Sequence, residues 1–184
     1  MKTTAIVGLL ALLSAGCTSL DIDGVRLGTS LNDLRATAHT ETSSGQRTTS
    51  RADADREGVK LELVNVIDRD TEVGLLFGFG QGDIGEVGYE TYNIGATMRQ
   101  FAGTGSIRPY LEGRIGYGYG ELTDPVQLGE TSTDLLNLGA GLGIEFAASE
   151  RFAVFVQGDI DYGFTNDDFS TQGPGITVGG VVRF

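Results

Sequence analysis

The chain has 184 residues, 29 of them glycine, and a formal net charge of −12. This acidic balance excludes a general nucleic-acid binder, which needs a basic surface. The single cysteine, Cys17, cannot form an internal disulfide, and the one histidine cannot complete a zinc site with it. The length suits one domain, and no metal or cofactor is indicated.

Residues 1–16 are predicted to be a secretion signal, because Lys2 precedes an apolar run that is shorter than the roughly 20 residues of a membrane-spanning helix. The stretch "LSAGC" resembles the lipobox of bacterial lipoproteins, in which the cysteine receives lipid. This resemblance implies lipidation of Cys17, and Thr18 in place of an aspartate implies delivery to the outer membrane. The alternative is an ordinary signal peptide with an incidental cysteine.

After residue 58 the pattern has a period of two and is interrupted by turn-forming clusters, which predicts β-strands. Seven strands are predicted, at 59–67, 72–79, 89–100, 107–119, 135–146, 151–163 and 175–184. An even-numbered closed barrel needs an eighth strand, and residues 31–42 are the candidate. A short amphipathic helix within residues 24–36 is the alternative.

The connections alternate between long and short, with residues 43–58 as the first long loop and residues 120–134 as another. Short periplasmic turns and long extracellular loops are typical of outer-membrane barrels. The pattern therefore predicts an all-β fold: an antiparallel, up-and-down transmembrane β-barrel of eight strands. Residues 31–184 form the barrel in this interpretation, and residues 17–30 are a periplasmic tether.

Charged residues of the predicted strands share one face, and the opposite face is apolar. The charged set is Lys60, Glu62, Arg99, Arg108, Glu112, Arg114, Glu145, Asp159, Asp161 and Arg183. A soluble, lipocalin-like barrel would expose this face, whereas a membrane barrel would turn it inward. Glycines on the same face favour the membrane barrel, because they make room for long side chains across a narrow lumen.

Aromatic residues cluster near the strand ends, as in the aromatic girdles of membrane barrels. The predicted outer girdle contains Phe77, Phe79, Tyr89, Tyr92, Tyr117, Tyr119, Tyr162 and Phe164. The predicted inner girdle contains Phe101, Tyr110, Phe146, Phe152 and Phe184.

The stretches "SIRPYLEGRIGYGYG" (106–120) and "NLGAGLGIEFAASERFAVFVQGDIDYGF" (137–164) resemble the small eight-stranded outer-membrane barrels, a family that includes the opacity-type proteins and the OmpA transmembrane domain. The likeness is compositional and covers about residues 70–184. It also implies an assembly signal in the last strand, formed by Ile176, Val178, Val182 and Phe184 and read by the barrel-assembly machinery.

Catalytic chemistry has little support in this sequence. His39 is the only histidine, so histidine-dependent hydrolysis among the later strands is excluded. The pairs Asp159/Asp161 and Asp167/Asp168 are formal candidates for a two-carboxylate mechanism, but no substrate cleft is indicated.

We therefore expect a monomeric, non-enzymatic protein of the Gram-negative outer membrane with a structural or surface-interaction role and a lumen plugged by paired charges. The expected partners are outer-membrane lipids and lipopolysaccharide, with divalent cations bridging lipopolysaccharide phosphates to acidic outer loops. Alternatives are a periplasmic lipoprotein with a lipid-binding barrel and a small channel.

Overall fold

The computed structural model describes residues 22–41, 47–84, 87–124, 129–165 and 169–184. These residues form eight strands: β1 (Gly24–Glu41), β2 (Arg47–Val66), β3 (Thr71–Ile84), β4 (Val87–Phe101), β5 (Ile107–Asp124), β6 (Gly129–Ala147), β7 (Phe152–Phe164) and β8 (Phe169–Arg183). In this described part of the chain, no helix has the length and apolar character needed to cross a membrane. Cys17 and the expected signal segment lie outside the described residues.

The sheet closes into a barrel, because each strand pairs antiparallel with the next and β8 pairs with β1. The predicted eight-stranded antiparallel fold is thus confirmed. Paired residues followed once round the barrel from Arg26 lead back to β1 at Ala36, ten residues further along the strand. Such a register shift accompanies a strand tilt of about 35–45°, and eight strands leave an interior that side chains just fill.

The two ends of the barrel differ in their connections. Residues 67–70, 102–106 and 148–151 connect strands at one end, which we call the turn end. The first and last strands meet at this end too, where the Phe184 amide donates to the Asp23 carbonyl at 2.9 Å. At turn 67–70 the Asp70 amide donates to the Asp68 carboxylate at 2.9 Å, which lowers the pKa of that carboxyl. The opposite end is called the loop end.

Strands at the loop end extend into segments that were predicted to be loops. Residues 43–58 were expected to be one loop, but β2 begins at Arg47, and much of 120–134 belongs to β5 and β6. The physical reason is that continued pairing satisfies backbone hydrogen bonds on both strands. The run "ADADRE" (52–57) shows the alternation of a strand, since Ala54 is buried whereas Asp55 is exposed.

The first strand also begins earlier than expected. β1 starts at Gly24 rather than at residue 31, so residues 24–30 belong to the barrel and not to the predicted tether. The helix considered for residues 24–36 is wrong, because this segment pairs along its length with β2 and β8. Its even-numbered positions face the interior, where three polar residues are buried: Arg26, Ser30 and Asn32.

The barrel buries charged and polar side chains in its interior, together with apolar ones such as Phe155, and exposes apolar side chains on its outer surface. Large apolar side chains of every strand are exposed on the outer surface, among them Leu142 at 70% and Met98 at 54%. Buried side chains in the interior include charged groups such as Glu145, which is 0% exposed. A soluble barrel requires the reverse arrangement, so this surface is one that faces lipid.

Aromatic side chains stand on this outer surface near both ends of the strands. The outward-facing set is Phe77, Phe79, Tyr92, Tyr117, Tyr119, Tyr162 and Phe164 towards the loop end, with Phe146, Phe152 and Phe184 towards the turn end. Tyr89, Phe101 and Tyr110 were expected in the girdles, and this was wrong, because they are at most 9% exposed inside the barrel. These three residues lie on the inward face of their strands. They were assigned to the girdles because they are near strand ends, without regard to the face on which they lie.

Candidate functional site in the barrel lumen

The ten charged residues that the sequence indicated all lie on the inner face of the barrel, and ion pairs connect every one of them. Three further charged residues join them there: Arg26, Arg56 and Glu72. The strand alternation turns these side chains inward, and the register of the strands places them in two groups along the lumen.

The first group, the waist cluster, contains four bases and four acids: Arg56, Lys60, Arg99, Arg114, Glu62, Glu112, Asp159 and Asp161. Arg99 donates from Nη1 to Glu62 Oε1 at 2.8 Å, and its Nη2 pairs with Glu112 at 2.6 Å. Since the two signs are equal in number, the formal charges of the waist cluster cancel.

Arg114 is the hub of the waist cluster. It donates to Glu112 at 2.7 Å, to Asp159 at 2.6 Å and to Asp161 at 2.7 and 3.0 Å. Gln157 adds donor bonds from Nε2 to Glu112 at 2.9 Å and to Asp159 at 2.6 Å. Charge-assisted hydrogen bonds of this kind are about twice as strong as neutral ones, so the waist cluster ties β5 and β7 together across the lumen.

The second group, the lower cluster, lies nearer the turn end and contains Arg26, Arg108, Arg183, Glu72 and Glu145. Arg108 donates to Glu145 at 2.5 Å, and Arg183 donates to both carboxylates at 2.8–3.0 Å. This cluster has three bases and two acids.

Glycines opposite the long side chains make these contacts possible. The Tyr110 ring lies against Gly143, where a β-carbon would collide with it, and Gly74 and Gly139 give the same room to Glu62 and Arg114. Glycine lowers strand stability by itself, so its presence here is explained by close approach. Tyr110 uses this space to donate to Gln157 at 2.7 Å.

Little free space remains in the lumen. One cavity among the waist-cluster side chains measures about 20 Å³ and reaches Arg26 and Phe155. A second cavity of about 40 Å³ lies nearer the loop end, against Leu34, Tyr89 and Leu135. Each has room for no more than a few water molecules.

The described residues contain no group of three or more histidine, cysteine or acidic residues arranged to hold a metal ion. Asp159 and Asp161 are both bound to Arg114, which leaves them engaged as structural acceptors. His39 belongs to β1, while Asp167 and Asp168 lie outside the described residues.

Arg26, Arg56 and Glu72 were missed by sequence reasoning for two reasons. Arg26 and Arg56 fall in segments that had been assigned to the tether and to a loop. Glu72 is the first residue of the predicted strand 72–79, and the alternation places it on the face opposite to that of the apolar Val73. The signal for Glu72 was therefore present in the alternation.

No protein-family model matches the chain, and no curated protein matches it either. Among solved structures, Neisserial surface protein A has a TM-score of 0.56 at 14% identity, over 87% of this chain and 97% of that one. The chain has the fold of the small outer-membrane β-barrels. OprG of Pseudomonas aeruginosa supports the same assignment, with a TM-score of 0.56 at 14% identity over 88% of this chain and 94% of that one.

These identities establish the architecture and nothing finer, because one fold carries many functions. The comparisons therefore establish the fold, and the apolar outer surface of this chain is the independent observation that favours a membrane barrel. Activity must be argued from the lumen and the surface of this chain.

Proposed function

We propose that this chain is a non-enzymatic outer-membrane barrel with a structural or surface-interaction role, whose lumen is plugged by paired charges. The carrying observation is the lumen itself: Arg114 and Arg99 each contact carboxylates from other strands, and the free volume among them is about 20 Å³. The two cavities described among the lumen side chains measure about 20 and 40 Å³, which is room for a few water molecules each.

The proposed orientation has the turn end in the periplasm of a Gram-negative bacterium and the loop end outside, following the rule that periplasmic turns are short. Cys17 would then carry lipid on the periplasmic side, close to the start of β1. Phe184, which is 78% exposed, would serve with Ile176, Val178 and Val182 in recognition by the barrel-assembly machinery. Replacing Phe184 by Ser should reduce the amount of inserted barrel in cells, and normal insertion would refute that role.

The proposed partners are outer-membrane lipids and lipopolysaccharide. Asp33, Asp55 and Asp83 stand side by side on the outer surface across β1, β2 and β3, towards the loop end. Like charges directly opposite one another repel, and so would lipopolysaccharide phosphates beside them. Divalent cations between carboxylates and phosphates would relieve both repulsions, so chelation should weaken association of the barrel with lipopolysaccharide.

Fractionation tests the membrane assignment. The mature chain should require detergent for extraction, with or without Cys17→Ser, and should migrate differently on a denaturing gel before and after heating. A form that stays soluble without detergent would support the lipocalin-like alternative instead, although that alternative requires an apolar interior.

Planar-bilayer recording tests the plug. The refolded protein should produce no stable, large unitary openings, because side chains fill the lumen at the waist cluster. Stable openings would support the small-channel alternative and would refute the plugged lumen.

A further inference from the structure

The two ion-pair clusters of the lumen differ in charge balance, and the unbalanced one is the lower cluster near the turn end. The waist cluster pairs four bases with four acids, whereas the lower cluster has the three bases Arg26, Arg108 and Arg183 for the two acids Glu72 and Glu145. One positive charge near the turn end therefore has no counter-charge within the cluster.

Each of the two carboxylates, Glu72 and Glu145, lies near all three arginines of the lower cluster. Glu145 lies within 2.5 Å of Arg108, 2.9 Å of Arg183 and 3.4 Å of Arg26. Glu72 lies 2.8 Å from Arg183, 3.6 Å from Arg26 and 3.8 Å from Arg108. Three guanidinium groups offer fifteen N–H donors to two carboxylates, which have about eight acceptor positions. Donors thus outnumber acceptors, and one acceptor, Glu72 Oε2, lies 3.6 Å from Arg26 Nη1 without a hydrogen-bond partner among the described residues.

Arg26 is the base that this sharing leaves short. Its residue is 2% exposed, and its Nε, Nη1 and Nη2 atoms have no hydrogen-bond partner among the described residues. Its guanidinium lies 4.1 Å from the centre of the Phe155 ring and 5.0 Å from that of Tyr110. The nearest carboxylate oxygens, at 3.4 and 3.6 Å, sit just beyond the usual 2.7–2.9 Å of such a bond.

The other two bases reach the opening. The side chains of Arg108 and Arg183 are each 20% exposed, whereas those of Glu72 and Glu145 behind them are at most 3% exposed. Among the described residues, the bonds from Arg108 and Arg183 to the carboxylates all run through Nη2, and the Arg108 guanidinium also lies 4.2 Å from the centre of the Phe101 ring. The Nε and Nη1 groups make no bond to these carboxylates and can meet a ligand from the turn end.

We propose that the lower cluster is a binding site for one oxyanion, a phosphate or carboxylate group, which enters from the turn end and binds the exposed edges of Arg108 and Arg183. The anion supplies the missing negative charge. Once it shares Arg108 and Arg183, Glu72 and Glu145 can move by roughly half an ångström towards Arg26 and complete its hydrogen bonds. Guanidinium groups suit this role because they bind oxyanions through two parallel N–H bonds.

The source of the anion is either a free periplasmic solute or the phosphate of a lipid headgroup in the adjacent leaflet. Both present the same oxygen atoms to the same two guanidinium groups. Binding of the anion and its origin, a free solute or a lipid headgroup, therefore need separate measurements.

The test is a calorimetric titration of inorganic phosphate into the full barrel, refolded in a maltoside detergent that contains no phosphate, at constant ionic strength. The wild type should bind one phosphate saturably. Arg26→Met balances the cluster at two bases and two acids and should weaken binding about tenfold. Glu72→Gln raises the surplus to two charges and should tighten binding about tenfold, as expected for one unit charge at roughly 10 Å and an effective dielectric constant of ~20.

Arg151→Met is the matched control, because it removes one exposed positive charge from the turn 148–151 and keeps the backbone carbonyl of residue 151, which accepts from the Arg183 amide at 2.8 Å. Its affinity for phosphate should stay within twofold of the wild type. Opposite shifts for Arg26→Met and Glu72→Gln would support the site, since a merely structural defect weakens both. If Arg26→Met does not fold, the phosphate affinities of Glu72→Gln and Arg151→Met still test the site: tighter binding by the former and unchanged binding by the latter would support it.

The proposal is overturned by the absence of saturable phosphate binding, by shifts of the same sign in the two lumen variants, or by an effect of Arg151→Met as large as that of Arg26→Met. Repeating the titration in phosphatidylglycerol vesicles identifies the source. Loss of phosphate binding there points to a headgroup in the site, and its persistence points to a free anion.

Discussion

Replacing Arg114 by Met tests whether the waist cluster holds the barrel together. Methionine keeps the length of the side chain and removes its charge. Arg114 bonds Glu112, Asp159 and Asp161 at 2.6–3.0 Å, and its side chain is 7% exposed. The variant would therefore leave three carboxylates around an apolar side chain, with four acids for three remaining bases.

Removal of one partner from a buried ion pair costs about 3–5 kcal/mol, because the other charge stays buried without compensation. We expect the free energy of unfolding to fall by this amount in Arg114→Met. The second substitution Glu112→Gln restores the balance, since it leaves three complete pairs: Arg99 with Glu62, Lys60 with Asp159, and Arg56 with Asp161. The double variant should be more stable than the single one by about 2 kcal/mol.

The measurement is urea unfolding in phosphatidylcholine vesicles, followed by far-ultraviolet circular dichroism and by the heat-dependent gel shift. Arg35→Met is the control, because Arg35 is exposed and 3.7 Å from Asp53, which is exposed too, so its loss should cost less than about 1 kcal/mol. A cost below 1 kcal/mol for Arg114→Met would refute the reasoning. So would a double variant less stable than the single one.

Two further pairs of variants test the packing of the lumen and the depth of the lipid-facing surface. Gly143→Ala should destabilise the barrel by about 1–3 kcal/mol, because its β-carbon would collide with Tyr110, whereas Gly113→Ala, which faces outward with nothing within 4 Å, should be close to neutral in the same urea assay. Leu142→Arg, at mid-height on the outer surface, should cost about 2–4 kcal/mol in vesicles, whereas Ile107→Arg at the turn end should cost about 0–1 kcal/mol. Equal losses within either pair would contradict the assignment of faces and depths.

The fold and most of the lumen could be predicted from the sequence, because a strand alternation carries its own face assignment. Once Lys60 and Glu62 share a face with neighbouring strands' charges, closure of the barrel brings them together in one lumen. The glycines then decided which face is inside. Gly139, for example, has no explanation on a solvated surface, and in the lumen it lies against Arg114.

The remainder could not be predicted, for reasons of local chemistry. The loop-end parts of β1 and β2 are polar on the outer face, and their inner face carries mostly small apolar residues, such as Ala36 and Ala54 beside Leu34. Composition therefore suggests a loop although the backbone continues to pair. Arg26 and Arg56 lie in the segments that were assigned to the tether and to a loop, and were therefore not predicted to face the lumen. Without them, the balanced waist cluster cannot be told from the unbalanced lower cluster. That difference depends on the relative height of side chains from separate strands, which only the register round the closed barrel determines.

The lumen charges also account for how this register is specified. The lipid-facing part of the outer surface is apolar all round, so a strand that slips by two residues still presents an apolar face to lipid and loses little there. In the lumen the same slip would move Glu112 away from Arg114 and Arg99, and would carry the Tyr110 ring away from the space above Gly143. Buried charges would then be left unpaired, at a cost of about 3–5 kcal/mol each. We infer that the membrane selects which face points outward, and that the paired charges and the glycines opposite them select the register within that face.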